Sequence, residues 1–271
     1  MPLKRNSKAD FGCIWLNGPP NSGKTSSFGT CTKPMGIISV PGEKGHACIP
    51  YGEGVEAFVW EDDGTPAKDR NTLYYQKVWR EIENTTTDLI NGKYGPIQTI
   101  VIDGMHKLYD IALAIATDAE SAVLQSAFET TINDKGKEVL KGEFDPRCYG
   151  KSHKIIFQYV NMVASSKVPT RIFTSWSKMK KDDKKDTSKN AAEHLMPALP
   201  GEAAQMVLGE VGVTLHTKVS VKGEFLWQTK PGGEVAGAGI KGPARIVEKV
   251  PMFIPQDFQV LAGYFKEAVS V

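Results

Sequence analysis

The octapeptide GPPNSGKT at residues 18 to 25 sets a lysine and a threonine behind two glycines. The spacing Gly18, Gly23, Lys24 and Thr25 fits G-x-x-x-x-G-K-S/T, the P-loop, in which backbone N–H groups wrap a triphosphate. Lys24 then reaches the outer phosphates and the Thr25 hydroxyl holds Mg²⁺. Pro19, Pro20, Asn21 and Ser22 form the turn between the glycines, and Ser26 continues the cradle. The expected ligands are therefore ATP and Mg²⁺.

This chemistry needs a magnesium-side carboxylate and a group to activate water. Asp103 ends the apolar run TIVID, as such a carboxylate should. Gly104 follows it, so the chain lacks the adjacent Asp-Glu pair that many ATPases use to place a base. The search for the base therefore moves to another strand. Glu43, in PGEKG just past the strand GIISV, is the leading candidate, because the flanking glycines let the backbone approach a ligand. Glu61, Asp62 and Asp63, after EAFVW, compete with it.

These residues need a scaffold. FGCIWL before the loop is a short, apolar, β-prone run, and KTSSFGT after it is expected to open a helix whose N-terminus faces the phosphates. GIISV (36 to 40), EAFVW (56 to 60), the almost wholly apolar QTIVIDG (98 to 104) and TRIFTS (170 to 175) are expected strands. Helical spacing covers 68 to 91, HKLYDIALAIATDAESAVLQSAF and SHKIIFQYVNMVASS, the last with a stripe of Ile156, Phe157, Val160 and Val163. Alternating strands and helices predict an α/β fold: a mainly parallel sheet flanked by helices, with right-handed crossovers. VGVTLHTKVSV and EFLWQTK, joined around Gly223, predict an antiparallel β extension toward the C-terminus. The organisation expected is one domain over 1–271, with a core at about 11–220 and an extension at about 221–271.

The chain has 271 residues, 41% hydrophobic and 24% charged, which is ordinary for a globular domain. A formal charge of +2 does not by itself mark a nucleic-acid binder, so any such surface must be local. The N-terminus MPLKRNSKAD has no signal-peptide stretch, and no apolar run approaches the ~20 residues of a membrane span. A cytoplasmic protein with no membrane partner is expected. Cys13, Cys31, Cys48 and Cys148 include no C-x-x-C pair and are expected to be small apolar residues.

Basic charge concentrates in SKMKKDDKKDTSKN, residues 177 to 190, where six lysines face three aspartates. The segment leaves the carboxyl end of the TRIFTS strand, where open α/β sheets carry ligand loops. A solvated loop is the other reading.

Taken together, the P-loop, the carboxylate after the next strand, TIVIDGMHKLYD and RIFTSWSKMK resemble the RecA-like ATPase core. With HLMPALPGEAAQMV and the LWQTKPGG hairpin, the chain is similar to phage-encoded single-domain RecA-like P-loop ATPases associated with recombination and single-strand annealing, over roughly residues 11 to 232. The resemblance implies that Glu43 is the catalytic glutamate and that the strand ending at Thr174 and Ser175 senses γ-phosphate, through Ser175 or Ser177. It also implies a DNA-binding loop at the lysine-rich segment, with Lys178, Lys180, Lys181, Lys184 and Lys185 on phosphates. Trp176, standing where RecA proteins tend to carry an amide, and Tyr149 are candidates for base stacking or for burial. RecA-like assemblies place nucleotide at subunit interfaces, so a homo-oligomer, ring or filament, is expected, with a cation supplied in trans. Lys230 is the leading candidate for that cation, and Lys241 and Arg245 are alternatives. Single-stranded DNA is the implied partner, and a single-strand DNA-binding protein a further one.

Two other readings keep the same loop. A small-molecule or nucleoside kinase also combines a P-loop with a single Asp, although arginine is sparse here. A nucleotide-dependent assembly or packaging module would bind with little turnover.

Overall fold

The structure, a computed structural model, describes residues 11–43, 45, 49, 57–66, 70–118, 130–132, 138–140, 146–180, 194–200, 202–232, 235, 238–242 and 244–269. Strand β1 (Cys13–Gly18) leads through the P-loop to a five-residue 3-10 helix (Ser26–Thr30), then to β2 (Met35–Ser39), β3 (Ala57–Trp60), α1 (Thr72–Ile90), β4 (Thr99–Asp103) and α2 (Met105–Asp118). Next come an antiparallel pair, β5 (Thr130–Ile132) and β6 (Glu138–Leu140), and then α3 (Pro146–Ala164), β7 (Thr170–Lys180) and β8 (His194–Pro197). The chain continues with α4 (Ala203–Glu210), β9 (Val213–Val219), β10 (Phe225–Gln228), β11 (Gly239–Ile240), α5 (Ala244–Val247), β12 (Phe253–Pro255) and α6 (Phe258–Val269).

Ten strands form one sheet in the order β12-β10-β9-β1-β7-β4-β2-β3, with β11 paired to β9 and β8 to β7. From β9 to β3 every neighbouring pair is parallel. Side-chain alternation splits the core between the two faces. Cys13, Trp15, Ile100, Ile102 and Phe173 pack beneath α1 to α4, and Ile14, Leu16, Ile37, Val101 and Ile172 pack against α5, α6, Trp227 and Ile254. Burial on both faces explains why β1, β2 and β4 read as apolar runs, each buried side chain contributing roughly 1.5–3 kcal/mol.

Helix α1 begins where Asn71 Oδ1 accepts the Tyr74 N–H at 2.9 Å, and it buries Tyr74, Val78, Ile82, Thr86 and Leu89 at three- and four-residue intervals. In α3 the stripe is Ile156, Tyr159, Val160 and Val163, with Phe157 half-buried. Cys13, Cys31 and Cys148 are buried. Among the described residues no helix is long and apolar enough to cross a membrane.

Three elements differ from expectation. The P-loop opens a short 3-10 helix rather than an α-helix, because Ser26, Ser27 and Thr30 turn their hydroxyls back onto the carbonyls of Gly23, Lys24 and Ser27 at 2.9, 2.6 and 2.8 Å. Such back-bonding competes with helix propagation, and the turn ends at Cys31, whose backbone is extended. The TRIFTS strand runs on to Lys180 and pairs with β8 from Ser177↔Pro197 to Lys180↔His194, so residues 177–180 of the lysine-rich segment are strand rather than loop. Finally, β9 is a member of the parallel core beside β1, and the antiparallel extension begins only at β10.

Candidate active site

Parallel pairing brings the carboxyl ends of β1, β7, β4 and β2 to one edge, with Gly18 opposite Trp176 and Ser39 opposite Asp103. At that edge a cavity of about 550 Å³ is lined by Pro20, Asn21, Ser22, Gly23, Lys24, Thr25, Ser26, Glu43, Gly45, Asp103, His106, Thr174, Trp176 and Phe225. The structure thus brings the P-loop, Asp103 and Glu43 to one space.

Gly18 and Pro19 stand behind the cavity wall, and their carbonyls accept hydrogen bonds from Lys24 Nζ at 3.0 and 2.7 Å. Lys24 is consequently only 9% exposed. Gly23 adopts φ +85°, and a Cβ there would meet Gln256 Oε1 at 2.5 Å and the Phe225 ring at 2.7 Å. The C-terminal extension therefore covers the outside of the loop, and Gln256 Nε2 donates to the Ser22 carbonyl at 2.8 Å. Neither contact was legible from the motif, because the partners lie some 200 residues away.

Asp103 is 2% exposed and accepts from Thr174 Oγ1 at 2.6 Å and from Thr25 Oγ1 at 3.2 Å. Thr174 also accepts the Gly104 N–H at 2.9 Å. Burial pushes the Asp103 carboxyl above its ordinary range, while its bonds to Thr174 and Thr25 and the charge of Lys24 oppose the shift. Burial likewise lowers Lys24, with Asp103 and Glu43 opposing. Each charge lacks solvent, so a polyphosphate with its cation would relieve both.

Glu43 reaches the cavity from the strand next to β4, whereas Glu61, Asp62 and Asp63 follow β3, one strand further out, and do not line it. Asp62 pairs with Arg70 at 3.2 Å and Asp63 with Lys77 at 3.0 Å. His106, which sequence reasoning missed, stands with Nε2 3.1 Å from Glu43 Oε1. The signal that could have found it is its place three residues past the strand-end Asp103, in the first turn of α2. On its other side His106 stacks on Trp176, with ring centroids 4.4 Å apart.

Ser175 faces away from the cavity and accepts the Trp15 Nε1–H at 3.1 Å, and Ser177 lines a neighbouring cavity. Thr174 is the hydroxyl that strand alternation aims at Asp103. Trp176 is 39% exposed on the cavity wall rather than buried, while Tyr149 packs half-buried against the core. Lys178 donates to the Leu199 carbonyl at 2.5 Å. Lys180 lies on the β7 backbone, and Lys181, Lys184 and Lys185 lie outside the described residues. Lys230 does not line the cavity and donates to the Glu248 carbonyl at 3.3 Å. Lys241 binds the Leu208 and Gly209 carbonyls at 2.5 and 2.9 Å, near the end of α4, and Arg245 lies in α5.

A parallel sheet carrying a P-loop between its central strand and a short helix, with a buried strand-end aspartate beside it, defines a P-loop nucleoside-triphosphatase core. A family model for the AAA domain matches residues 11–238, and the chain belongs to this family of P-loop ATPases. No curated protein matches the chain.

Proposed function

We propose that this protein is a Mg²⁺-dependent ATPase of RecA-like type that acts on single-stranded DNA in phage recombination or replication. The observation that carries the ATPase reading is the convergence of Lys24, Thr25, Asp103 and Glu43 on one cavity. The hydroxyl of Thr25, directly, and the carboxylate of Asp103, through the metal's water shell, would hold Mg²⁺, a hard cation that such oxygen donors suit. When bound, Mg²⁺ neutralises charge on the β- and γ-phosphates.

Lys24 turns from the Gly18 and Pro19 carbonyls to the outer phosphates, and the N–H groups of the loop hold the remaining oxygens. Thr174 fixes the orientation of Asp103. Glu43 accepts a proton from water as the water oxygen bonds to the γ-phosphorus. The bond from that phosphorus to the β,γ-bridging oxygen breaks, ADP leaves, and the proton passes from Glu43 to the phosphate product or to solvent. Lys230 of a neighbouring copy is the proposed trans cation in a ring or filament. The lysine-rich segment that leaves β7 supports the DNA reading, since lysines contact phosphates without regard to sequence.

The test is phosphate release by the parent and by Lys24→Ala, with and without single-stranded DNA and with added nucleoside acceptors. DNA-stimulated release that Lys24→Ala abolishes supports the proposal. Transfer to an acceptor indicates a kinase, and ATP binding without release indicates an assembly module.

A further inference from the structure

Glu43 and His106 form a pairing at this site that no motif contains. The imidazole Nε2 lies 3.1 Å from Glu43 Oε1, and the two side chains are 10% and 18% exposed. The contact lies off the line a hydrogen bond requires: Glu43 Oε1 and both His106 nitrogens are shut from solvent with no hydrogen-bond partner among the described residues. Burying a polar atom without a partner is costly, so an arrangement that completes the bond is favoured. Hydrogen bonds between catalytic groups commonly tighten only when substrate is bound.

One face of the His106 ring is covered. Trp176 covers its ring at 4.4 Å and an interplanar angle of 30°. Lys107 Nζ stands 5.6 Å from the Trp176 ring centre, a cation–π contact that steadies the indole. The stem of Glu43 is held against Gly104, where an added Cβ would lie 2.6 Å from Cγ. With the stem fixed on one side and Oε1 facing the imidazole on the other, Oε2 is the oxygen left for water.

We infer that His106 is the positioning residue for Glu43: it holds Oε1 through Nε2–H and so aims Oε2 at the attacking water, with Trp176 as the wall that keeps the imidazole in place. The inference rests on Glu43 being the general base. His106 touches neither water nor phosphate in this role, so it acts on the rate of the chemical step and leaves nucleotide affinity alone. Misplacing a catalytic group by about 1 Å can cost ~10²-fold in rate.

The experiment measures kcat, KM and ATP affinity for the parent, His106→Leu, His106→Gln, Glu43→Gln and the double variant Glu43→Gln with His106→Leu. His106→Leu keeps the bulk against Trp176 but has no N–H, and its kcat should fall ~10–100-fold with ATP affinity within about twofold of the parent. His106→Gln, which restores a donor, should recover most of that rate. In the Glu43→Gln background His106→Leu should cost nothing further, because the group it positions is gone. Parental kcat in His106→Leu, losses that multiply in the double variant, or no recovery in His106→Gln each overturn the inference. If Glu43→Gln alone hydrolyses ATP at the parental rate, the reading of Glu43 as base has failed first, and the inference with it.

Discussion

Glu43 packs its stem over Gly104 so closely that a Cβ on residue 104 would lie 2.6 Å from Glu43 Cγ. Gly104 also adopts φ +106°, which disfavours any side chain there. The missing second acid after Asp103 is thereby explained: a carboxylate arriving from β2 fills the space that a side chain at 104 would need. Gly104→Ala should destabilise the fold by roughly 1–2 kcal/mol through backbone conformation alone. It should also displace Glu43 and lower kcat while ATP still binds. Thermal melting and steady-state kinetics check this, and an unchanged kcat in a folded variant would show that the stem contact does not place the carboxylate.

Asp103 predicts a conflict between stability and function. Its folded carboxyl is raised above 3.8, chiefly by burial, so its contribution to stability is full at acid pH and is lost as pH rises through the folded value. Above that value the ionised group is a liability that Mg²⁺ would offset. Asp103→Asn should therefore melt at or above the parental temperature without ligand, yet gain less from ATP with Mg²⁺. Calorimetry with and without ligand decides, and a lower melting point with full ligand stabilisation would count against the metal role.

His216 gives a pH signature of the opposite sign. It is 4% exposed behind the P-loop, and because Asn17 Nδ2 donates to Leu215 O, the Asn17 Oδ1 at 2.8 Å must accept from His216 Nδ1–H. Burial, reinforced by Lys24 and Lys218, lowers its pKa from 6.5 to about 4. Stability from the neutral ring is complete above pH 6.5 and is lost as pH falls toward about 4. His216→Gln should flatten the loss of denaturation midpoint across that window, as read from urea melts at each pH.

The legible parts of this protein were those carried by short contiguous patterns. GPPNSGKT and TIVID announced a loop and a strand-end acid because local composition determines both. Glu43, which lines the cavity, is reachable from sequence only by elimination, because Gly104 offers no second carboxylate. His106 was hidden because its partner comes through β2–β4 pairing, which no local pattern near GMHKL encodes. Which hydroxyl of β7 faces Asp103 depends on the phase of strand alternation, which sets Thr174 against Asp103 and Ser175 against Trp15. Phe225 and Gln256 close over the loop through tertiary packing alone. The helix expected after Lys24 failed because three hydroxyls compete for its carbonyls.

Neutralising Lys180, Lys181, Lys184 and Lys185 together should weaken single-stranded DNA binding, flatten its salt dependence and remove DNA stimulation of turnover. Lys178 is left out because its ammonium already holds the Leu199 carbonyl. Fluorescence titrations at several salt concentrations measure the slope. Parental affinity and slope would leave the segment a solvated connector.

The most direct test of the ATPase account is single-turnover phosphate release from Glu43→Gln saturated with ATP and Mg²⁺, beside the parent under the same conditions. The account predicts parental ATP affinity and release slowed by ~10²–10⁴-fold, the usual cost of losing a general base while phosphate contacts persist. Release at the parental rate, or loss of ATP binding together with release, would contradict it.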